Sequence, residues 1–175
     1  MKKLNIEELD RVSVEEFKQT PKIPLTIVLD NVRSLYNVGS VFRTADAYLV
    51  KKIMLCGISA TPPNVEIHKT ALGAENTVEW SYYADTLEAV AELRKGNTVI
   101  FAVEQVENSI MLPDLLLDKT KNYAAVLGNE VKGVQQSVVD VCDGSVELPQ
   151  FGTKHSLNVS ITAGIIIWDF WKQLK

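Results

Sequence analysis

Short apolar runs alternate along the chain with segments that have helical periodicity. Runs in which consecutive positions are apolar are typical of parallel strands, because helices cover both faces of such a sheet. Segments with an apolar residue every three or four positions lie between these runs. The alternation predicts an α/β fold in which a mainly parallel sheet is flanked by helices. The predicted strands are residues 25–29, 53–56, 98–103, 123–127 and 146–148.

Two helices are predicted between these strands from their apolar spacing and their ends. Asp85 is a good N-terminal cap for a helix that carries Leu87 and Leu93, and Gly96 is a suitable end for it. The residues that predict the second helix, including the glycine that closes it, are Val134, Val138, Val141 and Gly144.

The last predicted helix runs from Ser156 to Trp171 and is apolar on two sides. Its apolar run is shorter than the roughly 18 residues that a membrane span needs, and Asp169 interrupts it. A helix of this kind needs cover on both sides, so we expect the core on one side and a partner subunit on the other. The alternative is a helix buried wholly in its own core. One stripe is Leu157, Ile161, Gly164, Ile165 and Trp168, and the other is Val159, Ala163, Ile166 and Phe170.

The first of three motifs follows the first predicted strand and has the sequence NVGSVFRTA in residues 37–45. Its apolar residues keep the spacing of a buried helical face, while Asn37, Ser40 and Arg43 recur along the polar edge. Gly39 costs the helix about 1 kcal/mol relative to alanine, which indicates that another group approaches the backbone there. The alternative is an ordinary amphipathic helix with a solvated arginine.

The second motif, GNEVKG in residues 128–133, lies where an apolar strand ends. In an open α/β sheet ligands bind outside the carboxyl ends of the strands, so this position favours a site. The motif lacks the Lys-Ser/Thr pair of a phosphate loop, and the sequence has no Gly-x-Gly-x-x-Gly dinucleotide motif. The alternative is a plain connection in which Glu130 starts a helix.

The third motif, KHSLNVS in residues 154–160, opens the last predicted helix. Ser156 is suited to be the N-terminal cap of that helix. Asn158 in the first turn is less expected, because asparagine favours caps over helix interiors. We expect Asn158 to face a region that the glycine-rich second motif also reaches.

Composition narrows the class of protein further. The 175 residues, with a net charge of -4 and 46% hydrophobic residues, are typical of one globular domain preceded by a short arm. Mild acidity argues against non-specific coating of nucleic acid but leaves a local basic site open. Cys56 and Cys142 are expected to be reduced, buried thiols of a cytoplasmic protein, and with the two histidines they lack the spacing of metal ligands. The charged start of the chain does not have the apolar run of a signal peptide.

Together and in this order, the three motifs resemble those of the SpoU/TrmH branch of the SPOUT methyltransferase superfamily. They match Asn-x-Gly-x-x-x-Arg-x-Ala, Gly-x-Glu-x-x-Gly and Ser-Leu-Asn-Val-Ser with every fixed position filled. The resemblance covers about residues 25–171, so we expect an arm over 1–24 and a SPOUT methyltransferase domain over 25–175. It implies a deep trefoil knot at the C-terminal end and a homodimer through the last helix. It also implies transfer of a methyl group from S-adenosyl-L-methionine to a ribose 2′-hydroxyl in tRNA or rRNA.

The resemblance assigns roles to residues of the motifs. Arg43 has the central place, either as the proton acceptor or as a bidentate clamp on an RNA phosphate, which a guanidinium suits equally well. Glu130 is expected to hold Arg43 or an asparagine amide in place. The other polar positions around the ribose are Asn37, Ser156 and Asn158. The positions expected to surround the cofactor are Val103, Leu127, Gly128, Leu148 and Leu157.

Substrate choice is expected to come from the methyltransferase domain, its dimer groove and the arm, because the arm is too short to fold alone. A chain this compact is most similar to tRNA-modifying relatives, so we favour tRNA over rRNA. The alternatives are a catalytically silent RNA-binding member and a metabolite- or dinucleotide-binding domain. No membrane and no metal partner is expected. The candidate basic track on the surface is Lys22, Arg33, Arg43, Lys51, Lys52, Lys69, Lys132 and Lys154.

Overall fold

A computed structural model of the chain describes residues 1–9 and 11–175, so Asp10 of the predicted arm lies outside the described residues. The strands are β1 (Ile23–Asp30), β2 (Val50–Cys56), β3 (Trp80–Tyr83), β4 (Thr98–Val103), β5 (Ile110–Met111), β6 (Asn122–Leu127) and β7 (Gly144–Glu147). The α-helices are α1 (Val14–Gln19), α2 (Leu35–Ala47), α3 (Val65–Ala71), α4 (Thr86–Lys95), α5 (Gln136–Val139) and α6 (Val159–Leu174). Short 3-10 helices lie at Ile6–Leu9, Ala74–Asn76 and Leu112–Asp114.

These strands form one sheet in the order β3-β2-β1-β6-β4-β7-β5, and all neighbouring pairs are parallel. β1 lies between β2 and β6, so Val28 is flanked by Met54 and Val126. The predicted α/β fold is therefore confirmed. The strand over residues 98–103 keeps its predicted bounds, and the other four begin earlier than expected.

Two strands, β3 and β5, were missed by the apolar pattern. Both lie at the edges of the sheet. The residues of β3 are half-buried or exposed, and both residues of β5 are exposed. An edge strand that is partly exposed to solvent does not need consecutive apolar residues. The apolar runs that predicted the central strands are therefore weak in β3 and β5.

Alternate residues of each strand are buried on opposite faces of the sheet, because successive side chains point to opposite faces. Leu25, Ile27 and Leu29 of β1 belong to the core on one face, and Val28 belongs to the core on the other. The first core also contains the buried hydrophobic residues of α2 and α6, and the second contains those of α4 and α5. Each fully buried leucine or isoleucine stabilises the fold by about 1.5–3 kcal/mol.

Helix α4 begins and ends as predicted, with Asp85 as its N-terminal cap and Gly96 at its end. Helix α2 also follows the prediction, and the close approach that Gly39 indicated comes from α3. A Cβ atom at Gly39 would overlap Thr70 and the carbonyl of Ile67. The glycine therefore permits two helices to pack closely, and no ligand is needed to explain it.

The prediction of a helix with Val134, Val138 and Val141 on one face was wrong in extent. Helix α5 has only the residues Gln136–Val139, and β7 already begins at Gly144. The N–H groups of Val134 and Gln135 donate to the carboxylates of Glu104 and Asp30 at 2.9 and 2.8 Å. These bonds to distant side chains hold Val134 and Gln135 outside a helix where the apolar spacing indicated one.

Helix α6 begins later than predicted, and Ser156 is not its N-terminal cap. Asn158 is the cap, because its Oδ1 accepts the N–H of Ser160 at 2.9 Å. Leu157 therefore precedes the helix instead of belonging to one of its stripes. The stripe that begins at Val159 is buried in the core, while Ile161, Ile165 and Trp168 on the other side are 56%, 39% and 48% exposed. The two-sided character of the helix is thus confirmed, and the partner for its exposed side stays a prediction.

The arm includes a short helix, α1. Ser13 and Glu16 form a capping box at the start of α1, and Phe17 is buried in the core. Lys22 donates to the carbonyls of Phe17 and Thr20 and lies 4.1 Å from the centre of the Phe17 ring. The arm is thus packed onto the body, and the division after residue 24 stays a prediction.

The predicted trefoil knot concerns the threading of the chain, which strand order and register do not test, so the knot stays a prediction. No helix in the described ranges 1–9 and 11–175 is long and apolar enough to cross a membrane.

Candidate active site

The three sequence motifs meet at the carboxyl edge of the sheet. The first motif lies in α2, which follows β1, the second follows β6, and the third precedes and opens α6. Because β1 and β6 are neighbours and parallel, the segments that leave their carboxyl ends emerge side by side. This is the position at which open α/β sheets bind ligands.

A hydrogen-bond chain joins one residue from each motif. Asn158 Nδ2 donates to Asn37 Oδ1 at 3.2 Å, and Asn37 Nδ2 donates to Glu130 Oε1 at 3.2 Å. The N–H groups of Ser34 and Arg33 donate to the same carboxylate at 3.0 and 3.1 Å. The Asn158–Asn37–Glu130 chain therefore connects three segments that are far apart in sequence.

Glu130 is held in its ionised form by these donors. Burial alone would raise the pKa of Glu130, but the hydrogen bonds from the N–H groups of Ser34 and Arg33 and from the Asn37 amide outweigh it and lower the pKa below its ordinary value. Of the two partners expected for Glu130, an asparagine amide and Arg43, it contacts the asparagine. An ionised carboxylate only accepts hydrogen bonds, so it fixes the orientation of the Asn37 amide.

A cleft of about 720 Å³, the main cleft, lies beside this chain. Its walls come from the ends of β4, β6 and β7, from the second motif, and from the segment before α6. The volume lies in the range of small-molecule and cofactor sites. All five predicted cofactor positions line it: Val103, Leu127, Gly128, Leu148 and Leu157.

The second motif forms a tight loop that Gly128 makes possible. Asn129 and Gly133 exchange backbone hydrogen bonds of 3.0 and 2.9 Å, which bring Gly128 close to Gly133 and Val134. A Cβ atom at Gly128 would overlap the backbone of both residues. The loop can therefore adopt this shape only with glycine at the first position of the motif.

The structure brings four of the five predicted catalytic residues together and leaves one apart. Glu130, Ser156 and Asn158 line the main cleft, and Asn37 is bonded to two of these residues. Arg43 lies six residues after Asn37, roughly 9 Å further along the axis of α2. It is exposed and is not among the residues that line the main cleft, so its catalytic role stays a prediction.

Glu104 was missed by the sequence analysis and lies in the wall of the main cleft. Its carboxylate accepts the N–H groups of Val134 and Gln105 at 2.9 and 3.0 Å and thereby anchors the end of the second motif. The signal was present in the sequence, since Glu104 is the first residue after the predicted strand 98–103. A carboxylate at that position follows the same rule that drew attention to Gly128.

The candidate basic track divides between the two edges of the sheet. Lys22 is bonded within the arm, Lys52 is paired with Glu79 at 3.2 Å, and Lys69 is paired with Glu66 at 2.6 Å. Lys51 lies near the amino end of β2, opposite the motifs. The remaining cations belong to segments at the carboxyl edge or to α2, and all are exposed: Arg33, Arg43, Lys132 and Lys154.

The cysteines do not take part in the site. Cys56 is buried and Cys142 is half-buried, and burial raises the pKa of their thiols to about 12 and about 11. In the part of the chain that the structure describes, no three His, Cys, Asp or Glu side chains are grouped to hold a metal ion.

Comparison with known proteins identifies the family. A family model described as the SpoU rRNA Methylase family matches residues 24–168. A 23S rRNA (guanosine-2'-O-)-methyltransferase from Neisseria meningitidis is 30% identical over 150 residues, which are 86% of this chain and 59% of that relative. A tRNA (guanosine(18)-2'-O)-methyltransferase from Thermus thermophilus is 27% identical over 166 residues, which are 95% of this chain and 84% of that relative.

A solved structure has the same fold at lower sequence identity. The AdoMet-bound rRNA methyltransferase from Sinorhizobium meliloti superposes with a TM-score of 0.80 at 23% identity, over 91% of this chain and 60% of that chain. The chain spans 59% of the length of the rRNA relative, so the likeness concerns one part of that protein. Because the family model covers all three motifs, the chain belongs to the SpoU rRNA Methylase family.

Proposed function

We propose that this protein transfers a methyl group from S-adenosyl-L-methionine to a ribose 2′-hydroxyl of RNA. The observation that carries the proposal is the main cleft, which five predicted cofactor positions line and which adjoins the Asn158–Asn37–Glu130 chain. A cofactor site and a set of oriented polar groups are thus adjacent, as a transfer between two bound molecules requires. The three relatives described above, which are named as RNA methyltransferases, support the same reaction.

The lining of the main cleft fits S-adenosyl-L-methionine. Leu127, Leu148 and Leu157 supply apolar contacts for the faces of an adenine ring, and the backbone groups of these residues and of Gly128 suit its polar edge. When bound, this cofactor supplies a sulfonium methyl group that is open to attack by a hydroxyl oxygen. The tight loop at Gly128 would then hold the backbone groups in place before binding, which lowers the cost of ordering them.

The polar chain would position the ribose. Glu130 orients Asn37, and Asn37 in turn accepts one N–H of the Asn158 amide. Asn158 Oδ1 is occupied by Ser160, which leaves its second N–H and the hydroxyl of Ser156 to bind the ribose. Well-oriented reacting groups lower the activation barrier by about 7–11 kcal/mol. This arrangement would therefore accelerate the reaction by holding the ribose in position.

We assign Arg43 to the RNA phosphate next to the reacting ribose. Its guanidinium is exposed, which suits a bidentate grip on a phosphate. A free guanidinium rarely gives up a proton, so the alternative of proton acceptance requires assistance from that phosphate. Either role explains an arginine at this position.

We propose tRNA as the substrate and a homodimer as the active form. The tRNA relative is matched over 84% of its own length, whereas the rRNA relative is matched over 59%.

The homodimer is supported by α6. Its exposed stripe, Ile161, Ile165 and Trp168, is the surface that a second copy would cover. Light scattering on the purified protein measures the dimer, and Ile165→Asp is expected to yield the monomer.

Nucleoside mass spectrometry of tRNA and rRNA from a strain that lacks the gene tests the reaction and its substrate. We expect the loss of one 2′-O-methylated nucleoside from tRNA. Loss from rRNA would correct the substrate. No loss in either pool, together with no transfer of labelled methyl to either RNA by the purified protein, would favour a catalytically silent RNA-binding protein.

A further inference from the structure

A second cleft of about 520 Å³, the side cleft, lies on the other side of the second motif. Asn129 and residues 131–133 form part of its wall and also of the wall of the main cleft. The remaining wall comes from residues that follow β1 and β2, including Arg33 and Ile58. The main cleft is proposed to bind the cofactor, and the proposed function gives no role to the side cleft.

The lining of the side cleft combines cations with exposed aliphatic side chains. Arg33 and Lys132 are exposed, while Ile58 and Val131 are 62% and 81% exposed. Its other lining residues are amides and a glycine, so none of the described residues that line it has a carboxylate: Asn31, Asn129, Gly133 and Gln135. An anion with a flat apolar part complements such a surface, and a nucleotide of single-stranded RNA has both features.

Hydrogen bonds hold the residues that line the side cleft in place. Asp30 is fully buried, and its carboxylate accepts the backbone N–H and the side-chain amide of Gln135, each at 2.8 Å. Asn31 adopts a left-handed conformation with φ of 57°, and its Oδ1 accepts the N–H of Ile58 at 3.1 Å. Asn129 Nδ2 donates to the carbonyl of Asn31 at 2.8 Å.

The side cleft is also joined to the proposed reaction centre. The backbone N–H of Arg33 donates to Glu130, which orients Asn37, while the side chain of Arg33 lines the side cleft. A strand of RNA whose ribose lies beside Asn37 and Asn158 would therefore continue into the side cleft. This step rests on the proposed function.

We propose that the side cleft binds the nucleotide adjacent to the methylated ribose, with Arg33 and Lys132 on its phosphate and Ile58 and Val131 against its base. RNA affinity, and with it the choice of sequence around the target, then depends on residues that do not touch the cofactor. Arg33 and Ile58 are the best test positions, because neither lines the main cleft.

The test compares Arg33→Gln and Ile58→Asp with two matched controls at the amino edge of the sheet. Lys121→Gln removes a positive charge just before β6, and Leu116→Asp adds a carboxylate at a residue that is 90% exposed. Binding of bulk bacterial tRNA and rRNA is measured by filter retention at several salt concentrations. Affinity for S-adenosyl-L-methionine is measured by calorimetry, and labelled-methyl transfer is measured in parallel.

We expect both test variants to weaken RNA binding about tenfold, as expected for loss of one charge-assisted contact or for one repulsive charge. Arg33→Gln is also expected to reduce the slope of log Kd against log salt by about 0.7–0.9, because one fewer phosphate is neutralised. Cofactor affinity is expected to stay within about twofold of wild type in both, and the controls are expected to bind RNA normally.

The proposal is overturned if the test variants bind RNA as well as the controls do, or if wild-type protein binds neither RNA. Loss of cofactor affinity in both test variants would also overturn it, because the side cleft would then act through the main cleft. If wild-type protein transfers no methyl group but RNA binding falls in the test variants, the proposed reaction fails and the RNA site stands.

Discussion

The loops that build the main cleft differ in length from two of the turns at the opposite edge of the sheet. At the amino edge, α2 reaches β2 and α4 reaches β4 through residues 48–49 and 96–97, with Leu49 and Asn97 in left-handed conformations. At the carboxyl edge, β6 is followed by residues 128–135 and β7 by residues 148–158 before the next helix begins. Short turns fix the order of the elements, while long loops are free to carry binding groups. The loops of the carboxyl edge supply walls of the main cleft, and the second motif also lines the side cleft.

The largest expected effect comes from Gly128→Ala. The added methyl group would overlap the backbone of Gly133 and Val134, so the loop must open. Overpacking of this kind costs about 1–3 kcal/mol. Because the cofactor needs the closed loop, we expect the affinity for S-adenosyl-L-methionine, measured by calorimetry, to fall by up to about a hundredfold. Gly152→Ala is the matched control, because none of the residues that the structure describes lies within 4 Å of a Cβ atom there. Equal cofactor binding by the two variants would show that the tight loop is not required.

Arg43→Lys is expected to reduce kcat about tenfold to a hundredfold at unchanged cofactor affinity. Lysine keeps the charge but loses the fork that grips a phosphate with two hydrogen bonds. The expected decrease in kcat follows from the loss of one charge-assisted hydrogen bond, which contributes about 1.5–3 kcal/mol. The measurement is labelled-methyl transfer over a range of pH. Near-normal turnover would contradict both roles proposed for this arginine.

Glu130→Gln is expected to reduce kcat/KM about threefold to tenfold, because the Asn37 amide loses its charged acceptor. The variant also tests the pKa of Glu130, which hydrogen bonds lower below its ordinary value of 4.5. A lowered pKa in the folded protein stabilises the fold above pH 4.5, and this stabilisation is lost as the pH falls through the lowered value.

Denaturant unfolding of wild type and Glu130→Gln at several pH values measures this dependence. We expect the difference in the free energy of unfolding to be largest above pH 4.5 and to shrink in more acidic solution. Glu107→Gln, at an exposed position outside the main cleft, controls for the loss of one carboxylate. A difference between wild type and Glu130→Gln that does not change with pH would contradict the lowered pKa.

The sequence predicted the central part of the fold well, because buried parallel strands have continuous apolar runs and α4 has clear capping residues. It failed where a long-range contact overrides a local signal. The apolar spacing from Val134 to Val141 indicated a helix, but the carboxylates of Asp30 and Glu104 take up two backbone N–H groups there. Such a pairing joins residues that lie 30 or 105 positions apart, and local periodicity contains no trace of it.

The candidate site was predicted as a set of residues but not as a geometry. The motifs identified Asn37, Glu130 and Asn158, and the structure adds that the Asn37 amide lies between the other two. Ser156 illustrates the opposite case, because its residue type favoured a cap that Asn158 forms two positions later. Of the side cleft, the sequence identified only Arg33 and Lys132, as members of the basic track. It could not bring them together in one cleft, because the walls come from the segments after β1 and β2 and from the second motif.

The smallest effect is expected for Lys51→Gln. This variant tests whether RNA binds at the carboxyl edge of the sheet and not at the amino edge. Lys51 is an exposed lysine near the start of β2, so it carries the same charge as the lysines beside the main cleft but lies at the amino edge. If RNA binds only at the carboxyl edge, removal of this charge changes RNA affinity less than about twofold, because exposed charges further apart than about 8–10 Å are screened at physiological salt. Filter binding of tRNA at low and physiological salt measures the effect. A loss as large as that of Arg33→Gln at both salt concentrations would mean that the RNA passes over both edges, and the basic track would then include the lysines that the fold separates from the motifs.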